Sequence, residues 1–318
     1  MAMSKPLKLF QALNDNNHST INDCLNDESL KQWINDKVLV KDITQLRIKF
    51  PGDLEYSTCL CFAARASEAL IVQKLVQSGA DVTVTDSRES TPLHCACVTS
   101  IDAKAKVSYL LECDQSAVRA RDEFCDMPLH WAALYGNTDV ISILIQHGAD
   151  IHEKGLVGRM PIHYACIKGE VACIEELVKL GADVESTCDQ REFTPLMLAA
   201  SFNRNAGVEA LINEFGASIN AVDTDGRTAL HRASGLGHID IVKIVTSNSK
   251  CDHNKADNND RIALDDAKRK GHTAVVELLE NLALSVTTRG AALIQEKVTA
   301  TGETVSGPPA QVSSVTTL

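Results

Sequence analysis

Apolar and small residues recur along this chain in short blocks of one shape. TCLCFAA starts at Thr58, TPLHCAC at Thr91, MPLHWAA at Met127 and MPIHYAC at Met160; TPLMLAA follows at Thr194, TALHRAS at Thr228 and IALDDAK at Ile262. Successive starts lie 33, 36, 33, 34, 34 and 34 residues apart. Within a block, Leu93, Leu129, Ile162, Leu196 or Leu230 is joined three and four positions on by small residues such as Ala132 and Ala133 or Ala199 and Ala200. That spacing puts them on one face of a short helix that neighbours can approach closely. A second helix follows in each unit, as in DVISILIQH from Asp139, again apolar at helical spacing. Gly-Ala punctuation closes four of the units, in SGADV, HGADI, LGADV and FGASI, where a left-handed glycine ends a helix at little cost.

The remaining letters are start signals. Thr91, Thr194 and Thr228 stand where a hydroxyl accepts an orphan amide at a helix N-terminus. Pro92, Pro128, Pro161 and Pro195 follow at the first helical position, where a missing N–H costs nothing. The short turn AVDTDGRT from Ala221 leads into the next unit, with Asp223 and Gly226 as turn residues. A T-P-L-H-x-A block at this period resembles the ankyrin repeat. The resemblance implies an all-α ankyrin-repeat solenoid of about seven repeats over residues 53–284, stabilised by stacking of neighbours.

A solenoid needs polar caps. Residues Leu7 to Asp27 read as a degenerate N-terminal capping repeat, and Glu28 to Gly52 as an insertion with one helix around Trp33; the two occupy residues 1–52. At the other end Asp and Lys stand in core-type positions of IALDDAKRKGHTAVVELLENL, as a cap requires. The second unit lacks the glycine turn and is longer, which predicts a lengthened second helix or inter-helix loop. Beyond it all, residues 285–318 carry eleven Ser/Thr and four charges, a composition that predicts disorder.

Composition narrows the class. A net charge of −11 argues against non-specific nucleic-acid binding and against a polybasic membrane anchor. The N-terminus has no apolar signal-peptide core, and no apolar run is long enough to span a bilayer, so no membrane insertion is expected. Eleven cysteines, an odd number, read as reduced thiols of a cytoplasmic, or alternatively nuclear, protein. The chain reads as a monomer.

Candidate chemistry is thin. His94, His130, His163 and His231 share one repeat position, at least a repeat apart, so no two converge on a metal; the resemblance implies that each ties adjacent turns together. Cys59/Cys61 and Cys95/Cys97 point about 200° apart on a helix and cannot chelate one ion. Cys125 and Cys188 fall in inter-repeat turns, where exposure is expected. Phosphate-loop, dinucleotide, zincin and nucleophile-elbow signatures are missing. The expectation is a protein that is not an enzyme and needs no cofactor.

The resemblance directs the variable x of the block toward a concave binding face, flanked by the inter-repeat turns. There the sequence places Phe124, Trp131, Leu156, Val157, Tyr164, Phe193 and Leu198 as a solvent-facing apolar stripe in units three to five, and Arg227, Arg232 and Arg261 in units six and seven. Aromatic anchors beside arginine are the composition of interface hot spots. The predicted function is therefore a protein-interaction adaptor whose partner has apolar anchors and an acidic end. An alternative is an anchoring protein held by its last residues, since Thr316-Thr317-Leu318 resembles the ligand of a PDZ domain, with Thr316 and Leu318 as its recognised positions. Asn220 occupies a turn position at which some ankyrin repeats are hydroxylated, so it is a candidate modification site.

Overall fold

The computed structural model describes residues 5–27, 29–36, 38–39 and 56–284. The tail ligand Thr316–Leu318 and the predicted disorder of residues 285–318 lie outside them. Seven helical pairs stack in order. The inner helices are Cys59–Ala66, Pro92–Cys97, Pro128–Leu134, Pro161–Lys168, Pro195–Ser201, Ala229–Leu236 and Ala263–Lys270. The outer helices of units one to six are Ala69–Gln77, Ala103–Cys113, Thr138–Gln146, Val171–Lys179, Asn205–Asn213 and Ile239–Ser247, and a helix over 273–284 completes unit seven. Inner helices pack on inner helices and outer on outer, so the core is a continuous slab between two layers.

The predicted start signals act as expected. Pro92, Pro128, Pro161 and Pro195 each open a helix, and the hydroxyl of Thr194 accepts the Met197 amide at 3.3 Å. Ala132, Ala133, Ala199 and Ala200 are fully buried, the close approach their size permits. Gly148 and Gly181 follow the outer helices of units three and four at φ 93° and 102°, a region L side chains avoid.

Unit two answers its irregularity twice. Its outer helix, Ala103–Cys113, has 11 residues, and a 3-10 turn, Gln115–Arg119, replaces the glycine turn, capped by the Asp114 carboxylate on the Ser116 amide. The N-terminal segment forms helices Lys5–Asn14 and His18–Leu25, and Phe10 packs on Phe62 of unit one with ring centroids 5.5 Å apart. The helix expected around Trp33 is a single 3-10 turn, Leu30–Gln32, with Trp33 and Ile34 buried after it. One element departs from the all-helical expectation: Val38–Leu39 pairs antiparallel with Tyr56–Ser57.

Two hydrogen-bond ladders join the units. In the first, Nδ1 of His94, His130, His163 and His231 accepts the amide of the helix N-cap, at 3.2, 3.0, 3.0 and 3.2 Å. That acceptance puts the ring proton on Nε2, which donates to a carbonyl in the following turn: Asp126, Glu153, Ser186 and Arg261, all within 3.1 Å. Cys61 stands in the same slot of unit one, and its thiol meets the Ser90 carbonyl at 3.6 Å. The second ladder fills orphan carbonyls at the ends of inner helices. Lys106 Nζ, fully buried, donates to the Ala64 and Ser67 carbonyls at 2.8 and 3.1 Å. Asn137 reaches Cys97 and Thr99, Arg204 reaches Ile167, His238 reaches Ser201 and His272 reaches Gly235.

Candidate functional site

The groove between the inner helices and the turn tips was the predicted contact surface, and its floor differs from the prediction. Trp131, Tyr164 and Leu198 are buried, at 7%, 6% and 2% exposure, so they do not form a solvent-facing stripe. For the two aromatics the reason is a pair of buried turn carboxylates. Asp122 binds the Phe124 and Asp126 amides through Oδ1, which shapes the turn, and takes the Trp131 indole N–H on Oδ2 at 2.8 Å. Asp126 receives the Tyr164 hydroxyl at 2.7 Å and the Leu156 amide at 3.0 Å. Burial pushes both acids above the usual carboxylate range, against the donors that hold them. Burial also pushes the Tyr164 hydroxyl well above the usual phenol range, so it stays a donor. The aromatics thus bridge turns to helices, and Trp131 is further enclosed by His94 and by the Arg65 guanidinium, 5.6 Å from its ring centre.

The arginines are engaged in the same way. Arg232 pairs with the buried Asp223 and lies 4.2 Å over the Phe193 ring, which is half-buried beneath it. Arg227 and Arg261 share Asp257, at 3.2 and 2.9 Å. Burial works against the Asp257 charge, but the Arg261 guanidinium, the Asn259 and Arg261 amides and Arg227 outweigh it and hold the carboxyl well below its ordinary range. Asn220 bridges to the next unit, its amide donating to the Lys250 carbonyl at 2.7 Å and accepting the Asp252 amide at 2.9 Å. Of the two turn cysteines, Cys125 is exposed as expected, whereas Cys188 is buried in the Cys188–Phe193 bridge and its thiol is pushed up to about 11.

What the groove offers to solvent lies along its two edges. Phe124, Leu156 and Val157 are exposed at the turn tips, at 40%, 41% and 50%. Val157 holds φ 49°, a strained conformation for a β-branched residue, and accepts the Asp189 amide at 2.8 Å. An open cleft of about 650 Å³ separates these tips from those of unit five, with Val157 and Arg191 among its walls. The opposite edge went unpredicted. Tyr135, Phe202 and Leu236, 43%, 45% and 50% exposed, occupy the repeat slot that ends the inner helix. A signal was present in the sequence: a large apolar residue four positions beyond x, where Lys168 and Lys270 stand in units four and seven.

No group of three or more His, Cys, Asp or Glu side chains among the described residues is arranged to hold a metal, and no described helix is long and apolar enough to cross a membrane. All eleven cysteines are free.

Comparison with known proteins sets this geometry in a family. The ankyrin-repeat family matches in three copies, over residues 60–155, 152–223 and 196–289. The chain is 28% identical over 207 residues to a transient receptor potential cation channel subfamily A member 1 homolog of Caenorhabditis elegans, which covers 65% of this chain and 17% of that protein. It is 36% identical over 169 residues to an ankyrin repeat protein of fowlpox virus, covering 53% of this chain and 22% of that one. It therefore spans less than a quarter of the length of either relative. The ankyrin repeat domain of human ASB11 superposes with a TM-score of 0.59 at 24% identity, over 69% of this chain and 97% of that one, a likeness of fold. Repeats, helix pairs, histidine ladder and family match coincide, and the chain belongs to the ankyrin-repeat family, whose repeats are protein-interaction modules.

Proposed function

We propose that this chain is a non-enzymatic adaptor that binds a partner protein in the groove of its repeat stack. One observation carries the reading. Tyr135, Phe202 and Leu236 stand exposed at one repeat-equivalent slot on the inner edge, facing a groove whose other edge carries Phe124, Leu156 and Val157. Aligned apolar side chains on a solvated surface mark contact sites, and large ones supply the anchors of an interface. Trp131 and Tyr164 serve this surface from beneath, by fixing the turns that present the tips. Eleven free thiols support a reducing compartment, the cytoplasm or the nucleus.

Affinity capture tests the reading with three proteins: wild type, a Tyr135→Ser/Phe202→Ser/Leu236→Ser variant, and Leu70→Ser. Leu70 is 50% exposed on the outer helix of unit one and serves as the control for loss of surface hydrophobicity. Circular dichroism establishes that all three fold. A partner retained by wild type and by Leu70→Ser, and weakened about tenfold or more in the triple variant, supports the groove as the binding surface. The same partners held equally by all three overturn it.

A further inference from the structure

Within units five to seven the groove deepens into a cavity of about 330 Å³, and its charge is the reverse of the chain's. Arg191, Arg227, Arg232, Arg269 and Lys270 line it, against one lining carboxylate, Asp266. Phe193 and Leu236 complete its wall. The chain as a whole carries −11, so five cations on one cleft are a local inversion of sign rather than a share of the average.

The carboxylates nearby do not cancel it. Asp223 and Asp257 sit behind the cleft, each with Oδ1 occupied by two turn amides. Through Oδ2 they hold Arg232, and Arg227 together with Arg261, while Asp266 holds Arg269 at 2.8 Å. Three acids thus orient four arginines. Arg191 and Lys270 are exposed and have no ion pair among the described residues. Arg232 Nε is buried without a hydrogen-bond partner, and its guanidinium is held over the Phe193 ring by the pair with Asp223. The result is a pre-organised set of donors around an apolar patch, two of its cations uncompensated.

We propose that this cleft docks an acidic peptide segment of a protein partner, in which one apolar residue is flanked by Asp or Glu. The apolar side chain packs on Phe193 and Leu236. The flanking carboxylates take charge-assisted hydrogen bonds from Arg191, Arg232 and Lys270, the planar guanidinium fork suiting a carboxylate's two oxygens. The chain as a whole, at −11, repels an extended polyanion, which favours a short segment over a nucleic acid. This inference rests on the adaptor reading for the class of occupant and places it by charge.

Fluorescence anisotropy of the full chain with a labelled peptide of Glu residues around a single Leu tests the cleft directly. Its comparators are the same peptide with Gln for Glu, the variant Arg191→Glu/Lys270→Glu, and the variant Lys104→Glu/Lys243→Glu. The last changes net charge equally, on exposed outer-helix lysines. Saturable binding of the Glu peptide is expected, weakened about tenfold or more by the cleft variant and less than about twofold by the control, with the Gln peptide inert. No saturable binding, equal losses in both variants, or equal affinity for a single-stranded oligonucleotide of the same charge overturns the proposal. The cleft variant leaves Tyr135, Phe202 and Leu236 intact. If peptide binding holds while capture is unmoved by the apolar triple variant, the apolar edge fails as the binding surface and the cleft stands. If capture is lost in that variant while the Glu peptide does not bind, only the cleft fails.

Discussion

At the scale of single residues, the fold depends on polar groups held dry in one protonation state. His94, His130 and His163 are neutral because burial holds each at about 4, against 6.5 for an ordinary histidine. A neutral ring is what the ladder uses, one nitrogen accepting and the other donating; an imidazolium has no acceptor for the N-cap amide. Between pH 6.5 and 4 the unfolded chain binds more protons at these positions than the folded one, so stability rises with pH across that window and falls on acidification. The loss is on the order of 3 kcal/mol per histidine once pH reaches the folded value. Asp122 and Asp126, pushed up by burial, act in the opposite direction over the acid range and soften the fall. Urea midpoints measured from pH 7.5 downwards are expected to decline from near pH 6.5. A flat profile down to pH 4.5 would show that the ladder does not hold these rings neutral. The residue type and its register were legible in the sequence; the inversion of Trp131 from surface anchor to buried strut was not. Its indole bond to Asp122 depends on a turn carboxylate nine residues upstream, which no motif letter reports.

At the scale of elements, the turn of unit four shows one carboxylate standing in for another. Where Asp122, Asp223 and Asp257 shape their own turns, unit four has Gly155, and Asp126 from the preceding unit fills the space. A Cβ placed on Gly155 would lie 1.9 Å from Asp126 Oδ1. Gly155→Ala therefore displaces Asp126 from both the Leu156 amide and the Tyr164 hydroxyl. A cost of roughly 1–3 kcal/mol is expected from overpacking and the lost bonds, measured by urea unfolding. In a Tyr164→Phe background the hydroxyl bond is already gone, so the same substitution should cost less there, and equal costs in both backgrounds would show that Asp126 is not the shared partner. Helix starts, inner-face alanines and glycine stops were readable because each has a local cause. The long outer helix of unit two was anticipated as one of two options, and its 3-10 closure depends on Asp114 and Ser116, too small a signal to separate from a loop. The row Tyr135, Phe202 and Leu236 is not legible from x, the variable letter, because the residues that reach solvent lie four positions beyond it.

At the scale of the whole molecule, each unit is stabilised by its neighbours, so the ends decide how much of the stack survives. The N-terminal segment caps unit one through two kinds of contact. Phe10, Trp33 and Ile34 join the shared core, and Phe10 packs on Phe62, which would otherwise meet water. Asn35 accepts the Asp81 amide at 2.8 Å and donates to the Gly79 carbonyl at 3.4 Å, the bridge that Asn220 makes to Asp252 and Lys250 five units later. A segment that shares a turn bridge with the interior repeats is a repeat in register, shortened rather than unrelated. Its removal leaves the Asp81 amide without its partner and exposes the apolar face of Leu60 and Phe62. In a stack governed by nearest-neighbour terms, loss of one terminal interface lowers stability by that interface alone, leaving the distant units folded. Deleting residues 1–52 is expected to cost roughly 3 kcal/mol, a fall in thermal midpoint on the order of 10 °C, with helical circular dichroism of units two to seven retained below the transition. An unchanged midpoint would mean that unit one caps itself and that the N-terminal pair is an attachment. Complete loss of helicity would mean that the stack is one cooperative body rather than a chain of neighbours.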